Sequence, residues 1–87
     1  MVKNRLRWLR REKNMTINQI KTIANDYAEL FKNDEVEFFN RYQSDINNYT
    51  EKEGIMIIQL ASLYYACKCG LIGRDETVKE QRAILGQ

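Results

Sequence analysis

Apolar side chains recur along this chain at spacings of three and four residues, the period of an amphipathic α-helix. Thr16 and Gln19 form a capping-box signature, in which each side chain satisfies a backbone N–H of the first helical turn. The apolar face that follows contains Ile17, Ile20, Ala24, Tyr27 and Phe31, and is widened by Ile23 and Leu30. This pattern predicts an amphipathic helix of about 16 residues after Thr16.

A second capping signature begins at Asp34, three residues before Glu37. Acidic residues in this first turn suit the positive end of a helix dipole. The apolar stripe that follows consists of Val36, Phe39, Tyr42, Ile46 and Tyr49. We therefore predict a second amphipathic helix, which ends where the pattern breaks at Asn47.

The third predicted helix is the most apolar. It opens with a capping box from Thr50 to Glu53, and only Gln59 and Ser62 are polar among residues 55–67. A helix that is apolar on nearly every side is normally surrounded by other elements, so we predict a central helix near residues 51–69. Gly70 is typical of a residue that ends a helix, and the Leu71 side chain would then fold back on the last turn.

A short last helix is predicted after Gly73, with Glu76 near its start and a weak apolar side at Val78 and Leu85. Strand patterns, repeats and low-complexity tracts are absent from the 87-residue sequence. The predicted fold is all-α. It is a compact bundle of four to five short helices in a single domain spanning residues 1–87, with residues 1–14 as a basic amphipathic helix at its edge.

The net charge of +2 conceals a strong asymmetry. Residues 1–13 carry a net charge of +5, residues 14–53 carry −4, and residues 54–87 carry +1. A helical wheel of the basic segment places Val2, Leu6 and Leu9 on one side and Trp8 on a flank. The opposite side carries Lys3, Arg7, Arg10 and Arg11. Three interpretations remain open: a solvated face that pairs with the protein's own acidic residues, a contact surface for phosphates or an acidic protein, and a helix on a membrane surface.

Residues 4–20, "NRLRWLRREKNMTINQI", resemble the opening of repressor-type helix-turn-helix domains. In that family a recognition helix follows and enters the major groove of DNA. This chain departs from the family there. Lys21 stands where the family has a small buried residue, and no glycine-containing turn follows Ala24. The segment in the recognition-helix position, residues 27–37, has Lys32 as its one basic residue. An acidic recognition helix would be repelled by the phosphates of DNA.

Residues 60–85, "LASLYYACKCGLIGRDETVKEQRAIL", resemble the tail of small uncharacterised phage and prophage proteins. The shared features are a Leu-Tyr-Tyr helix, a glycine break and a charged closing helix. The resemblance implies an accessory protein of a mobile element. Such proteins often act by binding, and some inhibit host defence, as anti-CRISPR proteins do.

Catalytic and metal-binding patterns are not found in the sequence. It has no histidine, no phosphate-binding glycine loop and no nucleophile elbow, so we expect no enzyme activity, no cofactor and no metal. Cys67 and Cys69 would point about 200° apart on a helix, which is poor geometry for a mutual disulfide. The first residues lack the continuous apolar core of a signal peptide, and the apolar run after Ile55 is too short to span a bilayer, so we expect a cytoplasmic protein.

The favoured hypothesis is a small non-catalytic binding protein that contacts another protein, such as a nucleic-acid-handling complex. Its expected contact residues are acidic and mimic phosphate or meet a basic groove: Asp26, Glu29, Asp34, Glu35 and Glu37. The alternative is a nucleic-acid-binding protein. Its expected contact residues are Lys3, Arg7, Trp8, Arg10 and Arg11. Tyr64 and Tyr65 are consecutive and point in different directions on a helix, so at least one of them should lie at the edge of the fold or contact a partner. Self-association of the protein also remains open.

Overall fold

The computed structural model describes residues 15–87, and the basic segment 1–14 lies outside the described residues. Residues 15–87 contain four α-helices and no strand. The helices are α1 (Ile17–Asn33), α2 (Glu35–Asp45), α3 (Glu51–Lys68) and α4 (Arg74–Leu85), with a 3₁₀ turn (Ile46–Asn48) between α2 and α3. The all-α prediction is confirmed, and α3 is the apolar helix that the sequence predicted near residues 51–69.

The predicted helix starts are confirmed at the atomic level. At the start of α1, the Gln19 N–H donates to Thr16 Oγ1 at 3.1 Å, and the Thr16 N–H donates to Gln19 Oε1 at 2.9 Å. At the start of α2, the Glu37 N–H donates to Asp34 Oδ1 at 3.1 Å. At the start of α3, Thr50 and Glu53 form a second reciprocal pair. These bonds satisfy N–H groups that have no partner within a helix, so local sequence fixes where each helix begins.

Helices α1 and α3 run in the same direction, as the contacts at their ends show. The backbone N–H of Met15, just before α1, donates to Glu53 Oε2 in the first turn of α3 at 3.0 Å. At the other end, Lys68 Nζ lies 2.8 Å from Glu29 Oε1. Helix α2 therefore runs back in the opposite direction and packs on α1, and α4 packs on α3 through a hydrogen bond from the Tyr64 hydroxyl to Gln81.

The core lies mainly between α1 and α3, with α2 contributing one buried aromatic ring. Its buried side chains are Ile20, Ala24, Tyr27, Phe38, Ile57, Leu60 and Ala61. The molecule is flat, with dimensions of 46 × 32 × 15 Å. A flat arrangement of four helices leaves one or more faces of each helix in water.

The predicted apolar stripe of α2 is confirmed at Tyr42 and Tyr49, which pack against the core, and is wrong at its other three positions. Phe38 is the buried residue of this helix, whereas Val36, Phe39 and Ile46 are 70%, 49% and 43% exposed. Neighbouring helical positions differ in direction by about 100°. The Phe38 ring packs edge-on against Tyr27 with a centroid separation of 5.7 Å, and this contact turns those three side chains toward solvent.

The expectation that α3 is enclosed on all sides is also wrong. Ile57, Leu60 and Ala61 are buried, but Ile55 is 50% exposed and no residue after Ala61 in α3 is buried. At the end of the helix Gly70 adopts φ 77°, and the Leu71 N–H donates to the Ala66 carbonyl at 2.9 Å. Gly70 therefore ends the helix as predicted. The Leu71 side chain does not fold back on the last turn as expected, and it remains exposed to solvent.

The two capping boxes allow a matched test of what Glu53 contributes. We expect Glu53→Ala to lower the free energy of unfolding by about 2–3 kcal/mol, because it removes a buried acceptor of two backbone N–H groups. Gln19→Ala removes the exposed equivalent in α1 and should cost about 1 kcal/mol or less. Urea unfolding followed by circular dichroism measures both changes in the free energy of unfolding. Equal losses of stability in the two variants would contradict a role for Glu53 in joining the start of α1 to α3.

Candidate functional site

The five acidic residues expected to contact a partner all lie at the surface. Three of them are at the start of α2, where Asp34 caps the helix and Glu35 and Glu37 occupy its first turn. Glu29 in α1 pairs with Lys68 in α3, and the hydrogen bond and charge of Lys68 lower the pKa of Glu29. The end of the molecule where α1 and α3 terminate therefore carries four acidic side chains against the two cations Lys32 and Lys68.

Asp26 does not belong to this acidic end. Its side chain points about 200° away from that of Ala24, which is fully buried in the core, so Asp26 lies on the outer face of α1. Four of the five expected residues thus come together near the start of α2 and the end of α1, and the fifth is separate from them. We define Glu29, Asp34, Glu35 and Glu37 as the acidic end.

Next to the acidic end, an apolar groove opens between α2 and α3. It has a volume of about 280 Å³. Its floor belongs to α1, one wall to Phe38 of α2, and the other wall to α3. The lining side chains are Tyr27, Ala28, Phe31, Phe38, Ile58, Ala61, Ser62 and Tyr65. Apart from the hydroxyl groups, these side chains offer only apolar surface.

Aromatic rings close the groove at its acidic end. The Phe31 ring is 4.8 Å from that of Tyr65, 5.1 Å from that of Phe38 and 6.2 Å from that of Phe39, all in edge-to-face arrangements. Edge-to-face pairs of this kind add to the stabilisation that area burial supplies. Phe39 remains 49% exposed, so the cluster extends the apolar surface beyond the groove.

Tyr65 links the groove to the acidic end. The neighbouring Cys69 thiol and partial burial raise the pKa of Tyr65, and the carboxylate of Glu35 makes the smallest contribution to that shift. The apolar groove therefore ends beside a negative charge. A partner that fills the groove with apolar side chains meets Glu35 at the rim.

The α3 wall of the groove continues as a stripe on the helix surface. Ile55, Ile58, Ser62 and Tyr65 follow one another at spacings of three, four and three residues, so they share one side of α3. Ile55 and Ser62 are exposed, and Ile58 and Tyr65 are half-buried. This stripe was not predicted from the sequence. The sequence feature that could have revealed it was the consecutive pair Tyr64 and Tyr65. Tyr64 forms a hydrogen bond with Gln81 of α4, and Tyr65 lines the rim of the groove.

A second polar cluster lies within the core and does not have the character of a reactive site. The Tyr27 hydroxyl donates to Asp45 Oδ2 at 2.9 Å and lies 2.6 Å from the Tyr49 hydroxyl, which therefore donates to it. Tyr27 is 3% exposed, and burial, followed by these two hydrogen bonds, raises its pKa far above the ordinary value. A tyrosine held neutral in this way acts as a structural bond between α1, the end of α2 and the loop before α3.

Among the described residues, no cluster of three or more Cys, Asp or Glu side chains could hold a metal ion. Within the same part of the chain, no helix has the combined length and apolar character that crossing a membrane requires. The basic residues of the alternative hypothesis, Lys3, Arg7, Trp8, Arg10 and Arg11, lie outside the described residues. Comparison with known proteins finds no matching family model, curated protein or solved structure.

The hydrogen-bond cluster of Tyr27 makes a prediction about alkaline stability. A pKa raised in the folded state means that the unfolded chain loses this proton first, above its ordinary pKa of 10.0. The contribution of Tyr27 is therefore complete below pH 10 and declines above it, by up to about 1.4 kcal/mol per pH unit. Tyr27→Phe should cost about 1–2 kcal/mol at pH 7. Urea titrations at pH 7, 10 and 11 should show a shallower alkaline decline for the variant. Parallel declines of the two proteins would refute this role.

Proposed function

We propose that this protein is a non-catalytic binding protein that contacts another protein through the groove and the acidic end beside it. The observation that carries the proposal is the open groove itself, whose aromatic and aliphatic lining comes from three helices and reaches solvent at the half-buried Phe31, Ile58 and Tyr65. Exposed apolar surface of this kind marks interaction sites on small proteins. Aromatic residues are also the side chains most enriched where proteins bind one another.

The chemistry of the surface favours one kind of partner. An apolar groove accepts the apolar face of an amphipathic helix, whose anchors recur at three and four residues. Glu35 and the rest of the acidic end favour a partner with basic residues at one end of that face. Proteins that handle nucleic acids carry such basic surfaces, which supports the hypothesis that the partner is a nucleic-acid-handling complex.

The wider role that we propose rests on the resemblance of residues 60–85 to the tails of phage and prophage proteins. Under this hypothesis the protein is a mobile-element accessory protein that inhibits a host defence complex, as anti-CRISPR proteins do. Two free cysteines, Cys67 and Cys69, fit the reducing cytoplasm that this role requires. Binding at an acidic surface beside an apolar groove would suffice for such inhibition, and no catalytic group is needed.

Charge reversal tests the acidic end directly. The double variant Glu35→Lys and Glu37→Lys should weaken partner capture about tenfold or more, which corresponds to about 1.4 kcal/mol. The matched control is Asp75→Lys with Glu76→Lys, because these acids occupy the first turn of α4 and are equally exposed. The measurement is quantitative mass spectrometry of proteins captured from host lysate on each immobilised variant. Equal capture by both double variants would refute a specific role for Glu35 and Glu37.

The alternative function is nucleic-acid binding by the basic segment. A salt titration distinguishes it from the favoured hypothesis. Each phosphate that a cation neutralises contributes about 0.9 to the slope of log affinity against log salt. Under the alternative hypothesis, binding to a labelled duplex falls steeply with salt. It is lost when Lys3, Arg7, Arg10 and Arg11 are replaced by glutamine. Under the favoured hypothesis duplex binding is weak at all salt concentrations, and the glutamine variant behaves as the wild-type chain does.

A further inference from the structure

We infer that the groove between α2 and α3 receives one aromatic side chain of a partner helix, and that this helix carries an arginine or lysine one helical turn from that anchor. The inference rests on the proposed function, because it specifies which side chains of the partner enter the groove and meet the acidic end. The size of the groove, the rings that line it and the position of Glu35 each bear on the assignment.

The size of the groove fits one large side chain. Its volume is about 280 Å³, whereas an enclosed apolar cavity of about 150 Å³ holds one benzene ring. The space exists because Ala28 of α1 and Ala61 of α3 contribute only methyl groups to the lining, where both are buried. A two-ring side chain such as that of tryptophan therefore has room in the groove, while the backbone of its helix stays outside.

The rings of the lining favour an aromatic anchor over an aliphatic one. Four of the eight lining residues are aromatic, namely Tyr27, Phe31, Phe38 and Tyr65. Neighbouring rings among them already meet edge to face, at centroid separations between 4.8 and 5.7 Å. A further ring in the groove extends this set of edge-to-face pairs, and each pair adds to the stabilisation that apolar burial supplies. An aliphatic side chain obtains the burial alone.

The position of Glu35 sets where the partner's cation lies relative to its anchor. Glu35 precedes Phe38 by three residues on α2, so the two side chains share one side of the helix with their β-carbons about 5–6 Å apart. The Glu35 carboxylate also contributes to the raised pKa of Tyr65 across the groove. It therefore lies about one helical turn from the anchor site. A basic residue three or four positions from the anchor of a partner helix spans the same distance.

A second copy of residues 15–87 does not offer this combination of side chains. Phe39 is the one exposed aromatic residue in this part of the chain. It follows Glu35 by four residues on α2, so it carries an acid where the groove requires a base. Like charges brought together in this way oppose association. The occupant that fits the groove is therefore a different protein, with a positive charge beside its anchor.

Synthetic helical peptides test the anchor and the spacing of the charge. The probe is a labelled helix of alanine and glutamine with one Trp and with Arg four positions before and after it. Its binding to the full-length wild-type protein is measured by fluorescence anisotropy. Replacement of the Trp by Leu should weaken binding about fivefold or more, because the ring pairs and part of the buried area are lost. Arginines moved to two positions from the Trp point to another side of the helix. This change should weaken binding about two- to fivefold, as expected for an exposed ion pair.

Two outcomes of the peptide experiment would overturn the inference. One is equal affinity of the three peptides, which would show that neither the ring nor the position of the charge is recognised. The other is the absence of binding by the Trp–Arg peptide up to its solubility limit.

Matched variants of the protein locate the binding site of the peptide. Ser62→Phe places a ring in the groove itself and should weaken binding of the Trp–Arg peptide about tenfold or more. Gln59→Phe makes a similar change at an exposed position of α3 outside the groove lining, and should leave binding unchanged. Glu35→Gln should abolish the difference between the two arginine spacings. Glu76→Gln, in the exposed first turn of α4, should retain that difference. Equal effects within either pair of variants would refute the assignment.

Failure of this inference is distinguishable from failure of the proposed function. Peptide binding as expected, with capture from host lysate that does not depend on Glu35 and Glu37, would support the anchor site and refute the proposed function. Capture that depends on these acids, without peptide binding, would overturn the anchor site alone. Sedimentation velocity tests the remaining occupant. A wild-type dimer that both Ser62→Phe and Phe39→Ala dissociate would assign the groove to a second copy and overturn the inference. All substituted positions are exposed, and far-ultraviolet circular dichroism verifies the helices of each variant.

Discussion

The buried carboxylate of Glu53 determines how the helices are arranged. One of its oxygens accepts the Thr50 N–H and thereby starts α3, and the other accepts the Met15 N–H, which places the start of α1 beside it. With their first turns joined, α1 and α3 must run in the same direction. The chain between them has to return the full distance, and α2 with its 3₁₀ turn makes that return. A carboxylate whose two oxygens each accept a backbone N–H is well satisfied, whereas its removal leaves two partly buried donors without that acceptor.

The groove follows from this arrangement. Helices α2 and α3 both pack on α1, but they make little contact with each other. Tyr27 holds the end of α2 through Asp45, and Phe38 fills the space beside it, so α2 is fixed on one flank of α1. Helix α3 occupies the other flank. The space above Ala28 and Phe31 is then open, because no described element crosses it.

Local sequence predicted the helix boundaries well, but it could not predict how each helix is rotated about its own axis. Capping boxes act through residues three apart, so Thr16 and Thr50 could be recognised from sequence alone. The rotation of α2 depends on which of two adjacent rings, Phe38 or Phe39, meets Tyr27, and Tyr27 is distant in sequence. Helix α3 is apolar on nearly every side, so its periodicity carried no information about which side would remain in solvent.

The same distinction applies to the candidate site. The acidic first turn of α2 was predictable because Asp34, Glu35 and Glu37 are adjacent in sequence. Its position beside Tyr65 was not predictable, since it depends on the parallel run of α1 and α3. Asp26 was grouped with the other acids because of its charge, although helical geometry places it on the outer face. A sequence pattern thus identifies which side chains are available, and the tertiary arrangement decides which of them share a surface.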